Sequence, residues 1–454
     1  MKILHITASY KPAYIYGGPI QSVGKLCESL VKGKEQKAES LKPKAQSTEE
    51  KERLINLQVF TTTANGLNEL NVAVNEPILI DGVPVTYFKR LTKDHSHFSP
   101  SLLWELRKEI LRCAQDDKKI AQDTKPIIHI HAWWNLVSVF SCFVAKWYKV
   151  PVVLSPRGML TSYTQYNRNT LAKRIIHSVI GKRLLKYCHI HATSEQEKED
   201  ILRIVRPKNI TVIPNLVNVA YQVSGIEYQV SSIEYRVSSI KYQEELKAES
   251  IKAKAKSWEQ KTGSREQGYE KSSFKLIFLS RIEEKKGLDL LFDALALLNI
   301  DWTLTIAGSG DDIYVESLKR KAESLKLSSR INWIGQVSNE DKFEIISQHD
   351  LLVLTSYNEN FANVVIESLS VGTPVMLSEK VGLSDYIKAN ELGWVCNLNP
   401  NDITEKINES YHNQLKRKEI RSIAPNLIRE DFNDEVLAAK YLDLYEKILR
   451  LRSA

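Results

Sequence analysis

Two glutamates in one short stretch are the residues of this sequence best placed to do chemistry. Glu359 and Glu367 are eight positions apart in LLVLTSYNENFANVVIESLSVGTPV, residues 351–375. The stretch reads as an apolar strand, a polar turn and then a helix from about residue 361 to residue 371. Eight residues are about two turns of helix, so both carboxylates can lie toward one side of the helix mouth.

The start of a helix suits an anion, because its backbone N–H groups and the positive end of its dipole point outward. A carboxylate just ahead of such a site can reach sugar hydroxyls, and a carboxylate behind it can reach a ribose. The spacing of Glu359 and Glu367 around a predicted helix start therefore indicates a nucleotide-sugar site.

Two cations follow another strand of the second half of the chain. Residues 276–279 are apolar and run into SRIEEKKG, which contains Arg281 and Lys286. Because open α/β sheets bind ligands at the carboxyl ends of their strands, these side chains could clamp a diphosphate leaving group. A solvated charge run is the alternative, and it fits the residues between the two cations better than it fits Arg281.

The first half of the chain offers a glycine pair, a histidine and an arginine at strand ends. Gly17 and Gly18 precede a helix, where paired glycines let the backbone approach a phosphate or sugar, although any tight turn uses glycines. His131 ends a strand and is followed closely by Trp133, which indicates sugar or acceptor contact, although a lone histidine is usually structural. Arg157 follows the next strand and is expected at the same cleft edge.

Several kinds of site are absent from the sequence. It contains no Asp-x-Asp, no recognisable cluster of histidines and carboxylates that suits a metal, no P-loop and no GxSxG elbow. The five cysteines are scattered and show no metal-ligand spacing, which fits a reducing cytosol. We therefore expect no metal and no cofactor, and protein cations must neutralise a diphosphate.

Charge leaves two interpretations open. The net charge of +8 on 454 residues is modest and fits solvated lysine-rich faces. Alternatively, a basic helix over residues 169–186 could touch an anionic membrane leaflet through Lys173, Arg174, Lys182, Arg183 and Lys186. No nucleic-acid-binding module is recognisable, and neither a signal peptide nor an apolar run of membrane-spanning length is expected.

Strands and helices alternate along the chain, which predicts two doubly wound, Rossmann-like α/β domains. We predict an acceptor domain over residues 1–219, with polar insertions near 32–53 and 114–125, and a nucleotide-sugar donor domain over residues 274–430. Residues 220–273 carry a repeated seven-residue unit and are interpreted as a low-complexity insertion or linker. Residues 431–454 are amphipathic and predict a packed terminal helix.

These motifs together resemble glycosyltransferase family 4, whose members are retaining enzymes of GT-B fold. Five features agree in order: the Gly17-Gly18 loop, HIHAWWN, SPRGML with HATSEQE, SRIEEKKG, and the two glutamates inside ENFANVVIESLSVGTPV. The resemblance covers most of the chain outside the insertions. It implies two Rossmann-like domains that face each other across a cleft, with a terminal helix that crosses back to the first domain.

The resemblance also implies roles for individual residues. Glu359 would face the donor sugar, and Glu367 would bind the nucleotide ribose. Arg281 and Lys286 would neutralise the diphosphate, and His131 would contact sugar and acceptor beside Arg157 and Trp133. The other residues implied to bind the donor are Gly17, Gly18, Asn360, Phe361, Ala362 and Asn363. Where the family often has glycine, this chain has Ala362, which costs about 1 kcal/mol if φ must be positive.

The expected activity is transfer of a sugar from a nucleoside diphosphate to a hydroxyl of a glycan or lipid-linked acceptor. The SPRGML variant resembles enzymes of bacterial exopolysaccharide, capsule or lipopolysaccharide synthesis, so we expect a cytoplasmic protein, peripheral on the inner face of the plasma membrane. Two alternatives stay open: a phosphorylase or sugar-nucleotide epimerase of the same architecture, and a catalytically inactive scaffold.

Overall fold

Short runs of aliphatic and β-branched residues form the strands of two parallel sheets, one in each half of the chain. The computed structural model describes residues 1–40, 55–94, 96–120, 126–161, 181–220 and 273–453. Within these ranges strands and helices alternate, and the predicted architecture of two doubly wound α/β domains is confirmed.

The first sheet is parallel except at one edge. Its strands are β1 (Lys2–Ile6), β2 (Asn56–Thr62), β5 (Pro77–Ile80), β6 (Val83–Phe88), β7 (Ile127–His131), β8 (Val152–Ser155), β9 (His189–Ala192) and β10 (Asn209–Val212), and β3 (Ala64–Asn65) and β4 (Asn68–Glu69) form a separate ribbon. Across the sheet the order is β10-β9-β8-β7-β1-β2-β6-β5, with β5 antiparallel to β6. Strand β5 was not predicted from the sequence.

The second sheet is parallel throughout its described strands. They are β11 (Phe274–Leu279), β12 (Trp302–Ala307), β13 (Ile331–Gly335), β14 (Leu351–Leu354), β15 (Val375–Ser378) and β16 (Gly393–Cys396). Their order is β13-β12-β11-β14-β15-β16, which places β11 beside β14 at the centre. The loops after β11 and β14 carry the two main predicted motifs, so the topology brings these motifs to one edge of the sheet.

Helices connect the strands and cover the sheets. In the first domain they are α1 (Gly18–Ser40), α2 (Pro100–Ile120), α3 (Leu136–Trp147), α4 (Lys182–Leu185) and α5 (Glu195–Ile204). In the second they are α6 (Leu288–Leu295), α7 (Asp312–Ser324), α8 (Lys342–Ser347), α9 (Asn363–Ser370), α10 (Ser384–Ala389), α11 (Pro400–His412) and α12 (Gln414–Asp431). Short 3-10 helices form at Tyr14–Tyr16, Glu284–Lys286 and Ser328–Arg330.

Side-chain caps fix where several of these helices begin. Asn135 accepts a hydrogen bond from the backbone of Ser138 at the start of α3, and Ser194 accepts one from Glu197 at the start of α5. Asn399 caps α11, whose first residue is Pro400. Such caps satisfy backbone N–H groups that have no partner within the helix, and they set the direction in which α3 and α5 leave the sheet edge.

The terminal helix α13 (Asp434–Ser453) crosses back to the first domain, as the fold prediction required. The Lys25 ammonium on α1 lies 2.7 Å from the Asp434 carboxylate. The Tyr445 hydroxyl lies 2.6 Å from Nδ1 of the buried His129, and the Tyr441 hydroxyl lies 3.1 Å from His191 Nε2. Helix α13 therefore completes the interior of the first domain.

The polar insertions are only partly within the described residues. Helix α1 continues to Ser40 and α2 to Ile120, so the predicted insertions near 32–53 and 114–125 begin as extensions of helices. The repeat segment and most of the basic helix predicted over residues 169–186 lie outside the described residues. Of the helices in the described part of the chain, none combines the length and apolar character needed to span a bilayer.

Candidate active site

Glu359 and Lys286 form an ion pair between the loops that follow β14 and β11. Lys286 ends the 3-10 helix Glu284–Lys286, and its ammonium donates to Glu359 Oε2. Burial alone would raise the pKa of the Glu359 carboxyl, but attraction to Lys286 and Lys285 outweighs it and holds the pKa below its usual value. Glu359 is therefore a carboxylate at neutral pH, held in place at the mouth of α9.

A glycine allows these two loops to come close. Gly287 has φ +68°, and a Cβ there would collide with the carbonyl oxygen of Thr355. The Tyr357 N–H also donates to the carbonyl of Lys285 at 2.8 Å. The SRIEEKKG loop and the glutamate loop are thus joined through their backbones, which fixes Lys286 beside Glu359.

Glu367 belongs to a different ion pair, with a lysine that the sequence analysis did not single out. Lys342, on α8, donates to Glu367 Oε1 at 2.7 Å, and both side chains are almost fully buried. Burial raises the pKa of Glu367 more than Lys342 lowers it, so the pKa lies above its usual value. Lys342 stands in the polar stretch SNEDKF, and nothing in that stretch points to a partner on another helix.

Removing Lys342 is expected to destabilise the second domain strongly. Lys342→Met keeps the aliphatic stem but leaves Glu367 buried without its counterion, which should lower the free energy of unfolding by about 3–5 kcal/mol. Urea unfolding of the purified variant measures this loss. The Lys342→Met/Glu367→Gln pair should recover most of the stability, and a double variant as unstable as the single one would contradict the assignment.

Ala362 directly precedes α9 and has left-handed backbone, with φ 66° and ψ 77°. This is the position at which the resemblance raised a doubt, because the family often has glycine there. A Cβ in this conformation crowds the carbonyl oxygen that follows it, at a cost of about 1–2 kcal/mol. The helix therefore begins at a strained residue, immediately beside the predicted phosphate site.

Replacing Ala362 by glycine is expected to stabilise the protein. Relief of the left-handed strain exceeds the entropy that glycine adds to the unfolded chain, for a net gain of about 0.5–1 kcal/mol. Urea unfolding is the measurement. Ala439→Gly is the matched control, because Ala439 is exposed in the interior of α13, where glycine should cost about 1 kcal/mol instead. A loss of stability in Ala362→Gly would contradict the strain.

The glycine loop of the first domain meets the start of α9. Gly17 has φ +71°, and Arg281 lies beside it, with Arg281 Nε 3.5 Å from where a Gly17 Cβ would be. The Asn363 side chain lies 3.4 Å from the Gly18 carbonyl oxygen, and Asn215 donates to Asn363 at 3.2 Å. Gly17, Gly18, Arg281 and Asn363 are thus brought together, as the sequence analysis expected of donor-binding residues.

Arg281 is the more open of the two predicted diphosphate cations. Its guanidinium is partly exposed and lies 2.5 Å from the Glu283 carboxylate, an interaction within its own loop. Lys286 in contrast is buried behind it. An incoming diphosphate would therefore replace the Glu283 carboxylate as the partner of Arg281. Lys286, in contrast, is already held in position.

Asn360 and Phe361 connect the glutamate loop to its surroundings. The Asn360 side chain donates to the Thr193 hydroxyl at 2.9 Å, and the Ser194 hydroxyl donates to the Asn360 carbonyl at 2.8 Å. The Phe361 ring is buried and packs edge-on against Phe432. Both residues lie next to the predicted site, and their side chains hold the loop to the first domain and to Phe432, which follows α12. Their contact with a donor stays a prediction.

His131 and Arg157 are joined to each other beneath the cleft edge. His131 is 1% exposed, and its Nε2 lies 2.9 Å from His5 Nδ1. Arg157 directs its Nε toward His131 Nδ1 at 3.4 Å and donates to Ser22 and Asn215 at 2.9 Å. Contact of either side chain with a sugar or an acceptor stays a prediction, and in this structure their polar atoms face protein groups.

The predicted contact of Trp133 with an acceptor stays a prediction, and in this structure its ring lies inside the first domain. Its indole is fully buried in the core of the first domain, so the ring has no surface to offer a ligand. The adjacent Trp134 is half-buried and donates from its ring to the Met159 carbonyl. Sequence alone does not show which of two neighbouring tryptophans in a loop turns inward.

The structure also brings together histidines that the sequence analysis did not group. His5, His129 and His131 each offer a ring nitrogen within a 4.8 Å span, the one such group found among the described residues. They come from adjacent strands, since His5 pairs with His129 in the sheet register, yet His5 and His131 are 126 positions apart in sequence. No local pattern could have revealed this group.

Hydrogen bonding engages most ring nitrogens of this group. His129 contacts Tyr445 and Ser155, and His131 contacts His5 and Arg157. Of the six ring nitrogens of these three histidines, only His5 Nε2 is buried without a hydrogen-bond partner. Burial lowers the pKa of His5 to about 3 and holds the pKa values of His129 and His131 well below the usual value, so the rings are neutral. The arrangement is a hydrogen-bond network beside a guanidinium, and the expectation of no metal stays a prediction.

Two protein-family models match consecutive regions of the chain. Residues 51–221 match the model described as Glycosyltransferase Family 4, and residues 259–427 match the model described as Glycosyl transferases group 1. The first region lies mainly in the domain that carries His131 and Arg157. The second contains Arg281, Lys286, Glu359 and Glu367.

Curated relatives match about two fifths of the chain. An uncharacterized glycosyltransferase of Methanocaldococcus jannaschii is 28% identical over 175 residues, which cover 38% of this chain and 44% of the relative. An N-acetyl-alpha-D-glucosaminyl L-malate synthase of Bacillus anthracis is 21% identical over 41% of this chain and 49% of the relative. The chain spans less than half the length of each of these relatives.

Solved structures match nearly the whole chain. Anabaena HepE in complex with UDP and glucose has a TM-score of 0.63 at 17% identity, covering 98% of this chain and 100% of HepE. Sucrose-phosphate synthase from Thermosynechococcus elongatus has a TM-score of 0.65 at 16% identity, covering 99% of each chain. The chain therefore has the GT-B fold, and its two domains are glycosyltransferase domains.

Proposed function

We propose that the protein is a glycosyltransferase that moves a sugar from a nucleoside diphosphate to a hydroxyl of a glycan or lipid-linked acceptor. The observation that carries the proposal is the meeting of Lys286, Glu359 and the start of α9 with the Gly17-Gly18 loop. Cations, a carboxylate and a helix start within one cleft fit a diphosphate joined to a sugar. Among similar structures, HepE was solved with UDP-glucose, which supports this donor class.

The proposed chemistry rests on stabilising the leaving diphosphate. Cleavage of the anomeric C–O bond places negative charge on the phosphate oxygens, and groups already held in place stabilise that charge best. Lys286 is fixed by Glu359, and Arg281 can leave Glu283 to bind phosphate. Backbone N–H groups of Phe361, Ala362 and Asn363 would add the positive end of α9. With this charge supplied by the protein, we propose that no metal takes part.

The two glutamates would bind the two ends of the donor. Glu359, ionised and held by Lys286, would accept hydrogen bonds from sugar hydroxyls. Glu367 would reach the ribose from α9, with Lys342 limiting its movement. His131 would approach the sugar from the opposite domain if the side chain of Arg157 moved aside. We propose that the acceptor hydroxyl attacks the anomeric carbon on the face that the diphosphate leaves, so the anomeric configuration is retained. The C–O bond to the diphosphate breaks as the new C–O bond forms, and the hydroxyl proton passes to the departing phosphate oxygen.

The acceptor, pathway and location of the protein are also proposals. The SPRGML motif supports a role in bacterial exopolysaccharide, capsule or lipopolysaccharide synthesis, and the absence of paired cysteines supports the cytoplasm. A lipid-linked acceptor would require peripheral contact with the inner face of the plasma membrane. The basic residues of the segment 169–186 would provide part of that contact.

The decisive experiment is a screen of donor hydrolysis with the full chain. UDP-, GDP-, ADP- and dTDP-sugars are incubated with the protein, and release of the nucleoside diphosphate is followed with and without simple glycan acceptors. We expect slow release from one donor class and faster release with acceptor. Proton NMR of the product of an α-linked donor should show an α linkage.

Other results would overturn the proposal in distinct ways. Conversion of the donor sugar without nucleotide release would indicate an epimerase, and sugar phosphate formed only with added orthophosphate would indicate a phosphorylase. Calorimetry that detects no binding of any nucleoside diphosphate would indicate an inactive scaffold. A β-linked product from an α-linked donor would contradict only the proposed retention of configuration and would leave the transferase activity standing.

A further inference from the structure

An exposed group of aromatic side chains lies on the first domain, away from the residues proposed to bind the donor. Trp104 on α2 and Phe140, Phe143 and Trp147 on α3 form it, and we call these four residues the aromatic patch. Their exposed fractions are 56% for Trp104, 38% for Phe140, 47% for Phe143 and 72% for Trp147. Large aromatic side chains rarely gather on a soluble surface at this exposure, so the patch indicates a binding surface.

The sequence of α3 produces this surface. Phe140, Phe143 and Trp147 follow at intervals of three and four residues, which places them on one side of the helix. The opposite side is also apolar or small, with Val137, Ser141 and Ala145 buried against the domain. A helix that is apolar all round is normally buried all round, yet α3 keeps one side in solvent.

A groove between α2 and α3 deepens the patch. It has a volume of about 330 Å³ and is lined by Phe98, Leu103, Val144 and Tyr148 together with Trp104 and Trp147. Its walls are almost entirely apolar. The groove can therefore accept a hydrocarbon group from the partner that covers the patch.

Positive charge surrounds the patch. Arg107 lies over the Trp104 ring at 5.2 Å and donates to the Tyr148 hydroxyl at 2.8 Å. Further cations near the patch are Lys108 and Arg112 on α2, Lys146 on α3 and Lys149 just after it. Two acids lie in the first half of α2. Glu109 is buried and pairs with Lys2 and Arg112. Glu105 is half-buried and pairs with Lys108. The rim is therefore cationic overall.

We propose that the aromatic patch and its cationic rim are a docking surface for an anionic phospholipid membrane. The tryptophan rings, which have an apolar body and a polar N–H edge, favour the headgroup layer, and the phenylalanine rings enter the boundary with the acyl chains. The rim cations meet lipid phosphates. A second copy of the chain fits less well, because a two-fold interface would set the like charges of two rims against each other. This surface extends the membrane contact of the proposed function to described residues outside the segment 169–186.

The surface shares an element with the candidate active site. Helix α3 begins at the Asn135 cap, four residues after His131, and ends at Trp147 of the patch. A membrane bound at the patch would therefore be fixed in orientation relative to the strand end that carries His131. This arrangement suits an acceptor that stays attached to a lipid.

Vesicle binding of the full chain tests the proposal. The probes are flotation with pure phosphatidylcholine vesicles and with vesicles containing one part phosphatidylglycerol to two parts phosphatidylcholine. We expect binding to the anionic vesicles that weakens with salt, and a loss of affinity of roughly tenfold or more in Trp104→Ser/Trp147→Ser.

Arg107→Gln/Lys146→Gln should weaken binding roughly tenfold or more, at about 1 kcal/mol per cation. Ile313→Ser/Leu415→Ser is the matched control, since both residues are about as exposed as Trp147 but lie on the second domain.

Three results would overturn the proposal. Equal binding of the tryptophan variant and the unchanged protein would show that the patch does not touch the membrane. Equal binding to both vesicle types would remove the role of anionic lipid. Conversion of a dimer into a monomer by the tryptophan substitutions, seen by sedimentation equilibrium, would assign the patch to a second copy. Donor hydrolysis in solution is measured separately. If no donor is hydrolysed, the proposed function fails, but vesicle binding still tests the docking surface.

Discussion

Lys286→Ala is expected to reduce turnover at least about 100-fold, because loss of one preorganised group that stabilises developing charge has that effect. Lys286 is the buried cation of the donor loops and is fixed by Glu359. The substitution also frees Glu359 to bind elsewhere or to repel the diphosphate. Turnover is measured with the donor identified by the screen, at saturating acceptor, and circular dichroism verifies the fold.

Two further variants separate catalysis from stability. Lys286→Ala/Glu359→Gln restores the charge balance of the loops and should regain stability without regaining turnover. Lys319→Ala removes the same charge from the exposed face of α7, where Lys319 pairs with Glu316, and should leave turnover within about twofold. Near-normal turnover of a folded Lys286→Ala protein would refute the role of Lys286 as a diphosphate clamp.

Stability is expected to fall steeply below neutral pH because of the buried histidines. Burial lowers the pKa values of His5 and His191 to about 3 and that of His189 to about 4, and it holds those of His129 and His131 well below the usual value. In the unfolded chain each histidine titrates near pH 6.5, so unfolding takes up protons below that pH. Each histidine that stays neutral in the folded protein then lowers the free energy of unfolding by about 1.4 kcal/mol for each pH unit below that value.

The sign follows from the lowered pKa values. The stabilising contribution of these histidines is fully present above about pH 6.5 and is lost as pH falls toward the folded-state values near 3–4. Urea unfolding at pH 7.5, 6.5, 5.5 and 5.0 measures the slope, and this range stays above the ordinary carboxyl pKa values. His5→Gln should reduce the proton uptake by about one below pH 6, whatever its effect on total stability. A flat profile from pH 7.5 to 5 would show that the rings are not neutral and buried.

The architecture and the loops of the candidate site could be predicted from sequence for a common physical reason. Parallel sheets place all strand carboxyl ends at one edge, so residues after apolar runs, such as Arg281 and Glu359, come together without knowledge of packing. The left-handed backbone at Ala362 was also foreseeable, since the family often has glycine there. These features depend on local sequence and on a general rule of topology.

The remaining features depend on distant partners. Lys342 finds Glu367 through the packing of α8 on α9, and His5 meets His131 only because β1 lies between β2 and β7. The burial of Trp133 was missed, since a loop sequence does not show which side faces the interior. Polar segments after α1 and α2 were interpreted as insertions, yet lysine, glutamate and alanine favour helix and extend α1 to Ser40.

The path of α13 has a consequence for the order of folding during synthesis. Tyr441 and Tyr445 supply hydrogen bonds to His191 and His129 inside the first domain, although they follow the whole second domain in sequence. Domains usually fold as units while the chain leaves the ribosome, amino-terminal domain first. Here the earliest-made domain must wait, with polar groups in its interior unsatisfied, until residues 434–453 emerge. The first domain is therefore completed only after the second domain has been synthesised.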